Sequence, residues 1–214
     1  EVFLGNPDHE SYAVPPPSRK IVITPKPDGE PEATPMEPEC DVAITGCTGY
    51  IGRHLLPRLL EKGYKVRALL LPGTETDLVD ADKIEIVIGG LDDRAALAKL
   101  VKGARYVIHM AARLAGSCSM PDLRLANVEG THNLLRACKG STALERFVFC
   151  SSVAAYQNQF NPKEWPIHES HALRVDGGHD LADYGMSKIA GENMVKHYAT
   201  KGKYEWTALR FALV

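Results

Sequence analysis

An α/β fold, a doubly wound parallel sheet, is predicted by three features of this 214-residue chain. A short apolar run, Val42-Ala43-Ile44, leads into the glycine-rich segment Thr45-Gly46-Cys47-Thr48-Gly49-Tyr50-Ile51-Gly52, and an amphipathic stretch from Ile51 to Leu60 leads out of it. From Cys40 onward, strand-like and helix-like segments alternate. The strand-like segments are apolar along their length, as in Val66 to Leu71, which fits a sheet buried on both faces. Regular alternation demands parallel pairing with right-handed crossovers, so helices cover both sides.

Taken in order, Asp41 to Thr45 reads as the first strand and Tyr50 to Lys62 as the first helix, closed by Gly63. Val66 to Leu71 is the second strand, ended by Pro72-Gly73, and Ile84 to Ile88 the third. Asp92 or Asp93 then caps a helix running to about Lys102. Tyr106 to Met110 is the fourth strand, Asp122 to Cys138 a helix, and Arg146 to Cys150 the fifth strand. A long helix from Leu181 to Thr200 and a sixth strand from Trp206 to Val214 complete the pattern. Residues 1–39 stand apart. Their prolines (Pro15-Pro16-Pro17, Pro25, Pro27, Pro31, Pro35, Pro38) deny them a helix, and they read as a linker or an arm for a partner protein. Within them only Lys20 to Thr24 has strand character. The organisation expected is therefore an extension, 1–39, and one nucleotide-binding domain, 40–214.

Composition removes several function classes. A net charge of −2 argues against a nucleic-acid surface or a polybasic membrane patch. No apolar run approaches the ~20 residues that cross a bilayer, and no signal-peptide pattern opens the chain. The five cysteines are scattered and lack metal-ligand spacing, so buried reduced thiols in a reducing compartment, cytoplasm or organelle matrix, are expected.

The glycine segment has the chemistry of an anion cradle. One glycine allows the tight turn, one lets backbone approach a phosphate, and one lets the helix pack on its strand. The free N–H groups of the helix's first turn then face a dinucleotide pyrophosphate, aided by the helix dipole. Gly46, Gly49, Tyr50, Ile51, Gly52 and Arg53 are the candidate cofactor contacts. Arg53 reads equally as a solvated first-turn arginine. The long helix opens on Tyr184-Gly185-Met186-Ser187-Lys188, which puts Tyr184 and Lys188 on one helical face. Ser151-Ser152 ends the fifth strand. Ligands in open parallel sheets bind beyond the carboxyl ends of the strands, so Ser152, the glycine turn and the Tyr184/Lys188 face converge there.

The set TGCTGYIG, HMAA at His109 to Ala112, NVEGTHNLL from Asn127, FVFCSSVAAY from Phe147, YGMSK from Tyr184 and LRFALV from Leu209 resembles the extended short-chain dehydrogenase/reductase family, which includes nucleotide-sugar epimerases and dehydratases. The resemblance covers Asp41 to Val214. It implies a Rossmann-type fold, NAD or NADP as cofactor, a small-molecule substrate, and hydride transfer at a hydroxyl or keto carbon. It further implies a site of Ser152, Tyr184 and Lys188, with Asn127 as a polar support. Lys188 would also hold the nicotinamide ribose, and Ala111 and Ala112 would be small because the cofactor passes over that strand end. A phenol with pKa ~10 is a poor base near neutrality, and a nearby ammonium lowers that pKa. Tyr184 is thus the candidate general acid/base, Lys188 its tuner, and Ser152 the hydrogen-bond partner of the reacting oxygen.

The chain also departs from the family pattern. Leu70 and Leu71 stand where an acid would favour NAD or an arginine NADP, so the cofactor's phosphate is open. Gly90 occupies the position of the acid that the family places near the adenine. The interval between Ser152 and Tyr184, with Trp165, His168, His171 and His179, reads as a solvated substrate-side loop rather than a metal site. The family's substrate-binding lobe follows the sixth strand, where this chain stops, so a fragment of a longer protein is expected. The alternative reading is a structural or assembly subunit using the fold as a scaffold. A partner for residues 1–39 and a second copy of the chain are the candidate macromolecular partners.

Overall fold

The computed structural model describes residues 39–75, 79–114, 116–156, 166–175 and 180–212. Six strands, β1 (Cys40–Thr45), β2 (Val66–Leu70), β3 (Glu85–Ile88), β4 (Ala104–His109), β5 (Arg146–Ser152) and β6 (Glu205–Phe211), form one parallel sheet in the order β3-β2-β1-β4-β5-β6. The order reverses between β1 and β4, and the glycine turn leaves β1 at that point. Crevices outside the strand ends at such a reversal are where this architecture binds ligands.

Side-chain alternation divides the core between the two sheet faces. Val42 and Ile44 of β1 join Val66, Ala68 and Leu70 of β2 beneath α1 (Tyr50–Glu61), which contributes Leu56 and Leu59. Ala43, Leu69, Val107, Phe147 and Phe149 point the other way, onto α2 (Arg94–Val101), α4 (Gly130–Ala137) and α5 (Asp180–Gly202). The predicted helix 122–138 is α3 (Met120–Arg124) running into α4 through a π-helical turn, Leu125–Glu129. Between the two capping candidates of α2, Asp93 is the residue used: its Oδ1 accepts from Ala95 N and Ala96 N, each at 3.0 Å. The sixth strand ends at Phe211, and 213–214 lie outside the described residues, as do Lys20–Thr24, Trp165 and His179.

Arg67 of β2 is a buried strand-interior charge that the apolar pattern does not explain. Its side chain passes under α2, where Nη1 donates to the carbonyls of Lys99 (3.1 Å), Leu100 (3.1 Å) and Lys102 (2.7 Å), while Nε donates to Glu85 Oε2 at 2.6 Å. A buried cation thus closes the carbonyl end of a helix, where the macrodipole is negative. Arg67→Met strands those carbonyls and is expected to cost roughly 2–4 kcal/mol, measured as a shift in urea midpoint with unchanged m-value. Equal stability of the variant contradicts that role.

Candidate active site

The turn after β1 is shaped by contacts that exclude a Cβ. Gly46 has φ +73°, and a Cβ there would lie 2.6 Å from Ala111 N, so the turn rests directly on the backbone leaving β4. At Gly52 a Cβ would collide with Gly46 O, so the first turn of α1 sits on the loop itself. Gly49 is different: it is exposed, extended, and forms the N-cap of α1 with no side-chain cap. No acid stands in the first turn. The N–H groups of Tyr50, Ile51 and Gly52 therefore carry neither a capping side chain nor a compensating charge. This donor set fits a dinucleotide pyrophosphate. Arg53 is exposed beside it, its guanidinium 5.0 Å from the centroid of the Tyr50 ring.

At the carboxyl end of β5, alternation separates the two serines. Ser151 turns inward and donates to Glu192 Oε1 at 2.5 Å. Ser152 turns to the other side, where its Oγ accepts from Ala154 N at 3.1 Å and lies near enough to Tyr184 to draw that phenol's pKa down. With one lone pair engaged by a backbone N–H, Ser152 has its hydroxyl proton to donate, toward the Tyr184 oxygen or toward another oxygen in the cleft. Tyr184 reaches this serine because α5 presses on the turn 153–155: a Cβ at Gly185 would collide with Ala154 O and lie 2.9 Å from Val175 Cγ2. One turn along α5, buried Lys188 donates to Cys150 O at 2.8 Å, with Nζ 5.5 Å from the Tyr184 ring centroid and 5.2 Å from that of Phe149.

The electrostatics of the chain alone differ from the sequence expectation. Burial pushes the Tyr184 phenol above its ordinary range, the neighbouring Cys150 adds to this, and the Ser152 hydrogen bond opposes it. Burial also brings Lys188 down to about 8, so it keeps most of its charge at neutral pH but is already close to losing it. Lys188 does not depress the phenol here, because desolvation outweighs an ammonium whose nearest oxygen partner is a carbonyl on β5.

Asn127, in the π-turn, ties the site together. Its Oδ1 accepts from Arg113 N at 2.7 Å, and its Nδ2 donates to Arg113 O at 2.9 Å and to Ser187 Oγ at 3.1 Å. Ser187 in turn donates to Tyr184 O at 2.7 Å. One asparagine thus links the segment after β4 to the helix that carries Tyr184 and Lys188. Ala111 and Ala112 lie at the head of that segment, and Ala111 N donates to Thr45 Oγ1 at 3.3 Å.

Two groups of residues at this sheet edge escaped the sequence reading. His109 is fully enclosed between Thr45 (Nδ1···Oγ1 2.7 Å) and Thr131 (Nε2···Oγ1 2.9 Å). Thr131 donates its proton to Asn127 O at 2.7 Å, so its oxygen accepts from His109 Nε2–H, and Nδ1 accepts from Thr45. Glu192 lies on the Tyr184–Lys188 face of α5 and is buried; Arg210 of β6 grips it through Nε (2.9 Å) and Nη2 (2.7 Å) and also contacts the hydroxyl of Tyr156. A four-residue stripe continued past Lys188 points to Glu192. Paired polar residues at the ends of adjacent apolar strands point to Thr45 and His109, which are register partners.

His168 and His171 stack with ring centroids 5.6 Å apart, and His171 Nδ1 is tied to the His168 backbone. Among the described residues no cluster of three or more His, Cys, Asp or Glu side chains suits a metal. All five cysteines are unpaired, but only Cys40, Cys47 and Cys138 are buried; Cys118 and Cys150 are partly exposed, because they sit in the segment after β4 and at the cleft end of β5. No helix among the described residues is long and apolar enough to cross a membrane.

The profile of the NAD dependent epimerase/dehydratase family matches residues 42–214. The chain belongs to that family. Among curated relatives of this epimerase/dehydratase chain, a ceramide reductase from Caulobacter vibrioides is 30% identical over 155 residues, covering 72% of the chain and 41% of the relative. A short-chain dehydrogenase/reductase superfamily protein from Agrobacterium tumefaciens, solved with bound NAD, superposes with a TM-score of 0.66 at 30% identity over 79% of the chain and 48% of its own length. A UDP-glucose 4-epimerase from Thermus thermophilus, in complex with NAD, gives 0.67 at 26% identity over 79% and 54%. The chain spans 32–55% of the length of the curated relatives it matches.

Proposed function

We propose that this chain carries the dinucleotide-binding and proton-transfer half of an NAD(P)-dependent oxidoreductase that moves a hydride at a hydroxyl or keto carbon of a small molecule. An epimerase or dehydratase sequence that begins with the same oxidation is included. One observation carries the reading: Tyr184, beside Ser152 and one helical turn from Lys188, shares the carboxyl edge of the sheet with an uncapped, acid-free glycine turn. The NAD-bound family structures support the same reading.

In this reading the N–H groups of Tyr50, Ile51 and Gly52 hold the pyrophosphate with Arg53 beside them. Ala111 and Ala112 leave room over β4. A bound nicotinamide dinucleotide supplies the hydride acceptor or donor and, when oxidised, a positive ring. Tyr184 Oη takes the proton from the substrate hydroxyl as hydride leaves, or returns it in reduction. Ser152 donates its free proton to the reacting oxygen. Lys188 keeps a positive charge under the Tyr184 ring, and Asn127 fixes Tyr184 through Ser187. Bringing a phenol from above 10 to about 7 needs at least ~3 pKa units, roughly 4 kcal/mol of differential stabilisation. Lys188 alone does not provide it in the chain as it stands; with a nicotinamide dinucleotide bound, the positive ring would add to the charge of Lys188. The unpaired cysteines support a soluble protein of a reducing compartment. The scaffold alternative gains nothing from the site, since a scaffold needs no buried lysine below a tyrosine–serine pair.

Mass spectrometry of the nucleotide released from denatured protein tests this. A nicotinamide dinucleotide is expected, lost from Gly49→Val, whose branched side chain would begin 3.3 Å from Gly46 O and stand over the first-turn N–H groups. Retention of an unrelated nucleotide, or undiminished retention by the variant, overturns the reading.

A further inference from the structure

The end of β2 presents nothing polar to the sugar of a dinucleotide. In this architecture the residue just past β2 stands by the adenosine ribose, and an acid there accepts from its 2′-hydroxyl. Here Leu70 is buried and Leu71 is 62% exposed. A carboxylate nevertheless stands near the end of β2, carried by the segment that follows β3. Gly89 N donates to Leu70 O at 2.9 Å, so the ends of β2 and β3 run side by side. Just beyond, Asp92 Oδ1 fills the space in which a side chain at position 90 would begin, a point 3.8 Å from Leu71 Cδ2. Glycine at 90 is what admits it, because any Cβ there would collide with that oxygen. Asp93 is engaged in capping α2, whereas Asp92 is exposed and, among the described residues, has no hydrogen-bond or ion-pair partner.

We propose that Asp92, folded back over Gly90 beside Leu71, reads the adenosine ribose and makes this chain select NAD(H) over NADP(H). The carboxylate accepts from the 2′-hydroxyl in a charge-assisted hydrogen bond, and it repels a phosphate at the same position. The inference rests on the dinucleotide reading of the glycine turn. It assigns the discrimination to a residue four positions past β3, not to the end of β2, and it leaves Arg53, stacked on Tyr50, as a pyrophosphate neighbour that treats both cofactors alike.

The test is titration of the protein with NADH and with NADPH, followed by nicotinamide fluorescence, for wild type, Asp92→Asn, Asp92→Ala and Arg53→Ala, with thermal melts to confirm folding. NADH is expected to bind at least tenfold more tightly than NADPH. Asp92→Asn and Asp92→Ala should weaken NADH about tenfold while leaving NADPH unchanged or tighter, and Arg53→Ala should weaken both equally. An NADH affinity indifferent to both Asp92 variants overturns the proposal while leaving the dinucleotide site intact. So does a wild-type preference for NADPH that Arg53→Ala removes. Absence of binding by either cofactor overturns the dinucleotide reading and the proposal with it.

Discussion

Tyr184→Phe is expected to lower turnover by about 10³-fold, within the range of general acid–base catalysis, while dinucleotide affinity changes little. The substitution keeps the ring that covers Lys188 Nζ at 5.5 Å and removes only the hydroxyl that Ser152 engages. The fold has no reason to move, because the Gly185 contact with the turn after β5 is backbone-made. Ser152→Ala should cost less, about 10²-fold, since it removes one hydrogen bond to the reacting oxygen but leaves the proton carrier. Lys188→Met should differ from both in affecting turnover and cofactor affinity together. Steady-state rates on any oxidised or reduced substrate, with NADH binding measured in parallel, check all three. A Tyr184→Phe enzyme that keeps wild-type turnover removes Tyr184 from the proton path.

The second large effect is on stability. His109 is fully enclosed, and burial, with the charge of Lys188 adding to it, brings its pKa down to about 3 from an ordinary 6.5. Between those values the unfolded chain binds a proton that the folded chain refuses. Stability therefore falls as pH falls, by about 1.4 kcal/mol per unit, and the loss begins near 6.5. At pH 4.5 the cost from His109 alone is roughly 3 kcal/mol, a large share of the stability of an ordinary domain. His109→Asn is expected to be less stable at pH 7, because the bridge from Thr45 to Thr131 is shortened, and to lose this slope. Urea midpoints of both proteins between pH 7 and 5 give the comparison. Parallel pH dependences for the two contradict the buried neutral imidazole.

Much of the architecture could be read from one sequence because the period of the apolar residues changes with each element. Val42 to Thr45 and Phe147 to Cys150 are apolar enough to be buried on both faces, and the helices between them keep one apolar stripe. Boundaries shifted by a residue or two where burial does not decide them. Glu205 enters β6 through backbone pairing with Glu145, which composition does not report. The choice between Asp92 and Asp93 as helix cap was undecidable from residue type, since either carboxylate can do it; loop geometry selects Asp93. The π-turn at Asn127 has no compositional signature. What sequence alone could not supply was the environment of the titratable groups. The Tyr184–Lys188 spacing implied an ammonium that tunes a phenol, but the balance of burial against charge depends on how deep α5 sits on β5, and depth won. Glu192 and Arg210 lie 18 positions apart and meet only because β6 returns beside β5.

On the proposed function, the glycine turn and the Ser152–Tyr184–Lys188 cluster serve one dinucleotide and one reacting carbon. The most direct measurement is a crystal structure of the protein grown with NADH. Expected are the pyrophosphate on the N–H groups of Tyr50, Ile51 and Gly52, and the nicotinamide ring facing Tyr184 Oη with room between them for a single carbinol carbon. A nicotinamide ring bound away from Tyr184, or a pyrophosphate held elsewhere than the first turn of α1, contradicts that function.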